Sequence, residues 1–190
     1  MPLDSWIASP IQANHPLRRW LTDRASLTAR IAARCERVTV QLLSQKLAVP
    51  HRDEAQLAGL RHGELAWLRE VVLHADGRPV VYARSVLARR SLRGAWTMFA
   101  GMGTRPLGAA LFADPCIARG SLTARRLDAR DRRYHRAVTA SGVLPGSPQS
   151  LRKSSRHTKV LWARRSCFRR KGRSLIVCEI FLDGILSLDR

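Results

Sequence analysis

The feature that most restricts this chain is a pair of strand-like runs joined by a two-residue turn signal. Residues 67–73 and 79–87 are rich in β-branched and aromatic side chains, with Ala75-Asp76-Gly77-Arg78 between them. Asp-Gly supplies the positive φ angles of a tight hairpin, so the two runs are predicted to pair antiparallel. A further β-rich run covers 38–43 and ends before Pro50, and another is expected over 117–127. Two last strands, 160–168 and 174–182, are expected to pair across Arg169-Arg170-Lys171-Gly172.

Helices fall between these runs. Ser26 can cap a short helix whose apolar positions Leu27, Ile31 and Ala32 fit helical spacing. Residues 91–112 read as two helical pieces, 91–99 and 106–112, broken at Gly101-Met102-Gly103, with Pro106 suited to a first turn. Consecutive hairpins with helices between them imply an α+β fold on an antiparallel sheet. At 190 residues the expectation is one domain spanning 1–190, with no internal repeat.

The charge is unusual, with 34 Lys and Arg against 14 Asp and Glu. Such a field attracts polyanions, anionic membranes and small anions alike, and ranks none of them. Seventeen of the cations lie between Arg119 and Arg173, where the only acids are Asp128 and Asp131. Within that stretch residues 128–159 carry little apolar periodicity. They read as a long exposed, basic insertion, disordered in the extreme case. No apolar run is long enough to cross a bilayer, and Asp4, Pro10 and His15 interrupt any secretory signal pattern, so a soluble cytoplasmic protein is expected. Cys35, Cys116, Cys167 and Cys178 form no C-x-x-C pair. They are read as reduced, mostly buried thiols rather than zinc ligands or a disulfide framework.

Two charged residues sit where charge is costly. Strand alternation places Arg69 on one face with Trp67, Val71 and Leu73. There its planar fork needs either an acid of the protein or a bound carboxylate. Glu179 interrupts Leu175-Ile176-Val177-Cys178 and Ile180-Phe181-Leu182, the most apolar stretch of the chain. It either pairs with a core Arg, Arg69 among them, or meets a hydroxyl or proton in an internal site. His74 falls on the face opposite Arg69, and the other histidines lack ligand spacing. Gly101-x-Gly103 lacks the strand and third glycine of a phosphate loop. No Gly-x-Ser-x-Gly elbow is present.

Four segments together resemble the chorismate pyruvate-lyase family of ubiquinone synthesis. They are Trp67-Leu68-Arg69-Glu70 running through Asp76-Gly77-Arg78-Pro79 to Ala83-Arg84-Ser85-Val86, then Thr104-Arg105-Pro106-Leu107-Gly108 with Leu111-Phe112. Trp162-Ala163-Arg164-Arg165-Ser166 and Glu179-Ile180-Phe181-Leu182 complete the set. Their order matches over roughly 17–127 and 160–186. The resemblance implies an enclosed site that eliminates pyruvate from chorismate to give 4-hydroxybenzoate, with no cofactor and no metal. By the same resemblance Arg69 binds a substrate carboxylate and Glu179 contacts the ring hydroxyl, these two being the catalytic pair. Leu107 lines the site and offers a backbone N–H. Leu27 stands where another member has Met, and Thr28 beside it can also reach the ligand. Arg84 is the weaker candidate for steering or for the second carboxylate. Helices or loops near Leu27 and Leu107 would gate slow product release. The 128–159 insertion and the high charge depart from the family pattern.

The expected partners are chorismate, 4-hydroxybenzoate and pyruvate, with no nucleic acid, no membrane span and a monomeric chain. Two other classes stay open. One is a non-catalytic ligand-sensing module of the same fold, against which only about 25 residues precede the first matching helix, too few for a helix-turn-helix domain. The other is a basic nucleic-acid-binding protein, suggested by Trp162 and Phe168 within the basic 152–173 run but supported by no motif.

Overall fold

The computed structural model describes residues 6–142 and 160–189. Six strands form one antiparallel sheet in the order β1-β2-β3-β6-β5-β4. They are β1 (Val38–Ala48), β2 (Ala66–Ala75), β3 (Arg78–Ala88), β4 (Ala118–Leu127), β5 (Leu161–Arg170) and β6 (Arg173–Phe181). The expected α+β architecture is therefore present. Asp76 and Gly77, with φ of 48° and 77°, make the β2–β3 turn. Lys171 and Gly172, at 47° and 69°, make the β5–β6 turn, so that connection is tighter than the four residues expected.

Both faces of the sheet are covered, which is why its central strands are almost continuously buried instead of alternating. On the front lie α1 (His15–Thr22), α2 (Leu27–Ala32), the single turn α4 (Thr97–Ala100) and α5 (Leu107–Ala113). Trp20, Leu27 and Ile31 pack there with Leu73, Val81 and Phe181, while Trp96, Phe99, Leu107 and Leu111 pack with Leu87, Phe168 and Leu175. On the back, Ala58 after α3 (Arg52–Leu57) meets Leu68, Val86 and Ile176. Ala137 of α6 (Arg132–Ala140) meets Val72, Tyr82, Leu127 and Ile180.

Three sequence expectations change. The helix expected over 91–99 is a 3₁₀ turn, Arg89–Ser91, then irregular chain until α4. Trp96 is fully buried and its indole N–H donates to the Arg173 carbonyl at 3.1 Å, so tertiary anchoring overrides helical propensity at a segment already weakened by Gly94. Second, residues 128–142 are not an exposed loop, because they contain α6. Asp131 caps it by accepting the Arg133 N–H at 2.9 Å, and Arg133 is itself buried. The remainder of the expected insertion, 143–159, lies outside the described residues. The thiols also differ from expectation: only Cys178 is buried, Cys35 and Cys167 are half-buried, and Cys116 is exposed.

Candidate active site

A pocket lies between the front face of the sheet and a roof made by the first turns of α2 and α5. The roof closes tightly at Gly108. A Cβ there would stand 3.2 Å from the Thr28 hydroxyl and 3.3 Å from that of Ser26, so the missing side chain lets the two helices meet. Ser26 caps α2 by accepting the Ala29 N–H, and Pro106 precedes the first turn of α5. Leu27, Thr28 and Leu107 are thereby held over the sheet. All four residues proposed from the sequence, Leu27, Arg69, Leu107 and Glu179, line this one pocket, as does Thr28.

The floor follows from the strand register. Arg69 stands opposite Ser85, Ser85 opposite Val177, and Val177 opposite Ser166, making one row across β2, β3, β6 and β5. The next row on the same face runs Val71, Ala83, Glu179, Arg164. Ideal sheet spacings put the Arg69 and Glu179 Cα atoms roughly 12 Å apart, two strands across and two residues along. Their side chains thus approach an intervening space from different sides.

Arg69 is 2% exposed and forms no ion pair among the described residues. Its Nη2 donates to the carbonyls of Gly103 at 2.8 Å and Arg105 at 2.9 Å, and Nε reaches Gly103 at 3.3 Å. The loop that failed as a phosphate-binding motif therefore serves as the clamp that aims this guanidinium. Nη1 keeps no acceptor among the described residues. Burial without a countercharge lowers the Arg69 pKa from its usual value, which means that a bound anion would be welcomed.

Glu179 is paired, and its partner is Arg164 rather than Arg69. Arg164 Nε donates to Glu179 Oε2 at 2.5 Å, while its Nη1 donates to the carbonyls of Trp20 at 2.8 Å and Asp23 at 2.9 Å. Arg164 is 1% exposed, so it holds the carboxylate rigidly and ties the α1–α2 connection to the sheet. Glu179 Oε1 has no hydrogen-bond donor among the described residues. Glu179 thus has a core Arg, as the first sequence alternative held, and it also lines the pocket.

Arg84 is a correction. It does not line the pocket but lies on the back face, where Nε donates to Glu54 at 3.1 Å and Nη1 to Glu70 at 2.5 Å. Burial alone would lower its pKa, but Glu54 and Glu70 raise it, so it is a neutralised cation. The cause is a bulge. From the Asp76-Gly77 turn, an unbroken register would set Arg84 opposite Arg69, on the same face. Instead His74 faces Pro79 and Leu73 faces Val81, leaving Val80 extra, so Arg84 pairs with Glu70 and turns away. Two cations missed at the sequence level, Arg119 and Arg164, line the pocket instead. Their signal was available only from pairing partners, since each sits in an Arg-rich strand. Among the described residues no three His, Cys, Asp or Glu side chains converge as a metal site, and no helix is long and apolar enough to cross a membrane.

The chorismate lyase family profile matches residues 6–188. A protein of Aromatoleum aromaticum named probable chorismate pyruvate-lyase is 55% identical over 97% of this chain and 95% of its own length. One of the same name from Azoarcus sp. strain BH72 is 52% identical over 97% and 94%. Among solved structures, the PhnF C-terminal domain superposes with a TM-score of 0.54 at 14% identity, covering 77% of this chain and 84% of that one. The C-terminal domain of the histidine utilization repressor from Pseudomonas syringae gives 0.53 at 11% identity, covering 78% and 93%. At those identities the likeness is one of fold.

Proposed function

The chain belongs to the chorismate lyase family, and from that premise we propose that it eliminates pyruvate from chorismate to release 4-hydroxybenzoate, as a source of the ring for ubiquinone synthesis. The observation that carries the reading is the convergence of Arg69 and Glu179, 110 positions apart, on one enclosed pocket, each with a polar atom unused among the described residues. Chorismate carries a carboxylate on its ring and, across the ring, a hydroxyl at C4. Arg69 Nη1 meets the carboxylate, and Glu179 Oε1 accepts from the hydroxyl. Leu27 and Leu107 press on the ring, and the Leu107 N–H, in the first turn of α5, is free of an intrahelical acceptor.

The reaction breaks the C3–O ether bond. The electron pair of the C4–H bond enters the ring, which becomes aromatic. The hydrogen lost from C4 is matched by the one the enolpyruvyl group gains on becoming pyruvate. Aromatisation supplies the driving force, so the chain's own task is to hold the ether in a reactive orientation and to stabilise charge as it departs. Arg69, locked by two carbonyls, and Glu179, locked by Arg164, are preorganised for that. The cavity measures only about 50 Å³, room for a few waters but not for the substrate, so the α2 and α5 roof must lift on entry and exit.

Incubation of the purified protein with chorismate tests the reading: 4-hydroxybenzoate and pyruvate should appear in equal amounts. Tight binding of 4-hydroxybenzoate with chorismate left intact would instead place the chain with the ligand-sensing regulators whose domains share its fold.

A further inference from the structure

Chorismate is a dianion, and Arg69 accounts for one of its carboxylates only. Resting on the lyase reading, we infer that Arg119 binds the second carboxylate, the one on the enolpyruvyl side chain that leaves as pyruvate. The ether oxygen is on C3, next to the C4 hydroxyl assigned to Glu179, so this carboxylate must lie on the Glu179 side of the pocket, away from Arg69. Two cations line the pocket there. Arg164 is already neutralised by Glu179 at 2.5 Å and is almost wholly buried. Arg119 touches no acid among the described residues.

The position of Arg119 is also built. It projects from β4 over β5, where Nε donates to the Ser166 hydroxyl at 2.9 Å, and Nη1 donates to the carbonyls of Arg24 and Ala25 between α1 and α2. Its guanidinium carbon stands 5.4 Å from the ring centres of both Phe112 and Phe168, two more pocket residues. Nη2 has no acceptor among the described residues. Ser166 is the far end of the floor row that begins at Arg69, so Arg69 and Arg119, neither in an ion pair among the described residues, stand toward opposite ends of that row, with Glu179 one row away. Burial, and then the neighbouring Arg164, hold the Arg119 pKa down to about 10, and the pull of Glu179 and Asp23 in the other direction does not offset them. A pocket with one such cation at each end suits a substrate with two carboxylates better than a product with one.

That difference gives the test. The KM for chorismate and the inhibition constant of 4-hydroxybenzoate are measured for wild type, Arg119→Gln, Arg119→Lys and Arg69→Gln. Arg119→Gln should raise the chorismate KM by about tenfold or more, the usual loss for a charge-assisted hydrogen bond. It should leave the 4-hydroxybenzoate constant within about twofold, because the product has no enolpyruvyl carboxylate. Arg119→Lys should recover part of the KM loss by keeping the charge, and Arg69→Gln should weaken both ligands. Equal weakening of both by Arg119→Gln would show that Arg119 merely braces the α1–α2 connection, and an unchanged KM would show that it touches nothing that matters; either overturns the inference. Failure of wild type to convert chorismate would instead overturn the lyase reading itself.

Discussion

Arg69 and Glu179 carry opposite charges in one pocket and yet do not neutralise each other. Each is fixed by a different device, backbone carbonyls for the arginine and a second arginine for the glutamate. The difference separates the expected phenotypes. Arg69→Ala removes the cation proposed to anchor the ring carboxylate and should lower kcat/KM at least 100-fold, mainly through KM, in a steady-state chorismate assay. Glu179→Gln keeps a hydrogen-bond acceptor at much the same place. It should fold, bind 4-hydroxybenzoate, and lose about 10²-fold or more in kcat. A kcat close to wild type in Glu179→Gln would mean that the carboxylate is only the counterion of Arg164. The sequence exposed both residues as charges in apolar strands but could not rank ligand against salt bridge, since the carbonyl clamp from Gly103 and Arg105 lies more than 30 positions from Arg69. Arg84 was misplaced for a sharper reason, the single extra residue at Val80 that reverses which face it occupies.

At the level of elements, the β-strands were readable because Asp76-Gly77 signals a left-handed two-residue turn and β-branched runs mark the sheet, whereas the β5–β6 turn was placed over four residues where Lys171 and Gly172 suffice. The helix α6 was not readable, because it is held by long-range ions more than by an apolar stripe. Arg133 pairs with Asp131 and with Asp53 on α3, at 2.9 Å each, and Arg136 pairs with Glu70 of β2. Arg165 of β5 joins Asp53 at 2.8 Å and stacks 4.0 Å from the Trp6 ring centre, and Trp6 Nε1 donates to Asp53. Arg133→Ala would strip the buried partner from two acids and should destabilise the fold by about 3 kcal/mol in urea titrations. The pocket is on the other face, so KM for chorismate should stay as in wild type wherever the variant is folded.

The same network sets an acid limit. Burial alone would raise the Asp53 pKa, but Arg133, Trp6 and Arg165 outweigh it and bring it to about 2. A carboxylate whose folded pKa lies below its unfolded value of about 3.9 stabilises the fold above that value, and the contribution is lost as pH falls from about 4 toward 2. Unfolding free energy should therefore drop across that window, and the drop should be smaller in Asp53→Asn. An identical pH profile in the two proteins would remove Asp53 from the account.

For the whole molecule, a surplus of twenty positive charges surrounds a pocket in which neither Arg69 nor Arg119 forms an ion pair among the described residues. A field of that sign draws a dianionic substrate inward and is screened by salt. The value of kcat/KM should fall as ionic strength rises from about 0.02 M to about 0.5 M, chiefly through KM, while an uncharged additive at matched osmolarity leaves it alone. The fold by itself would not have led to chemistry, since its solved structural neighbours include regulator domains. The chemistry proposed rests on two side chains and the carbonyls and arginine that aim them.

The most direct measurement is the rate of pyruvate release from chorismate by the wild-type chain and by Arg69→Ala under one set of conditions, with 4-hydroxybenzoate quantified in the same samples. The expected result is one 4-hydroxybenzoate per pyruvate from wild type and a rate at least 100-fold lower from the variant at subsaturating substrate. Intact chorismate with the wild-type protein, or equal rates from the two proteins, would contradict the assignment of this pocket.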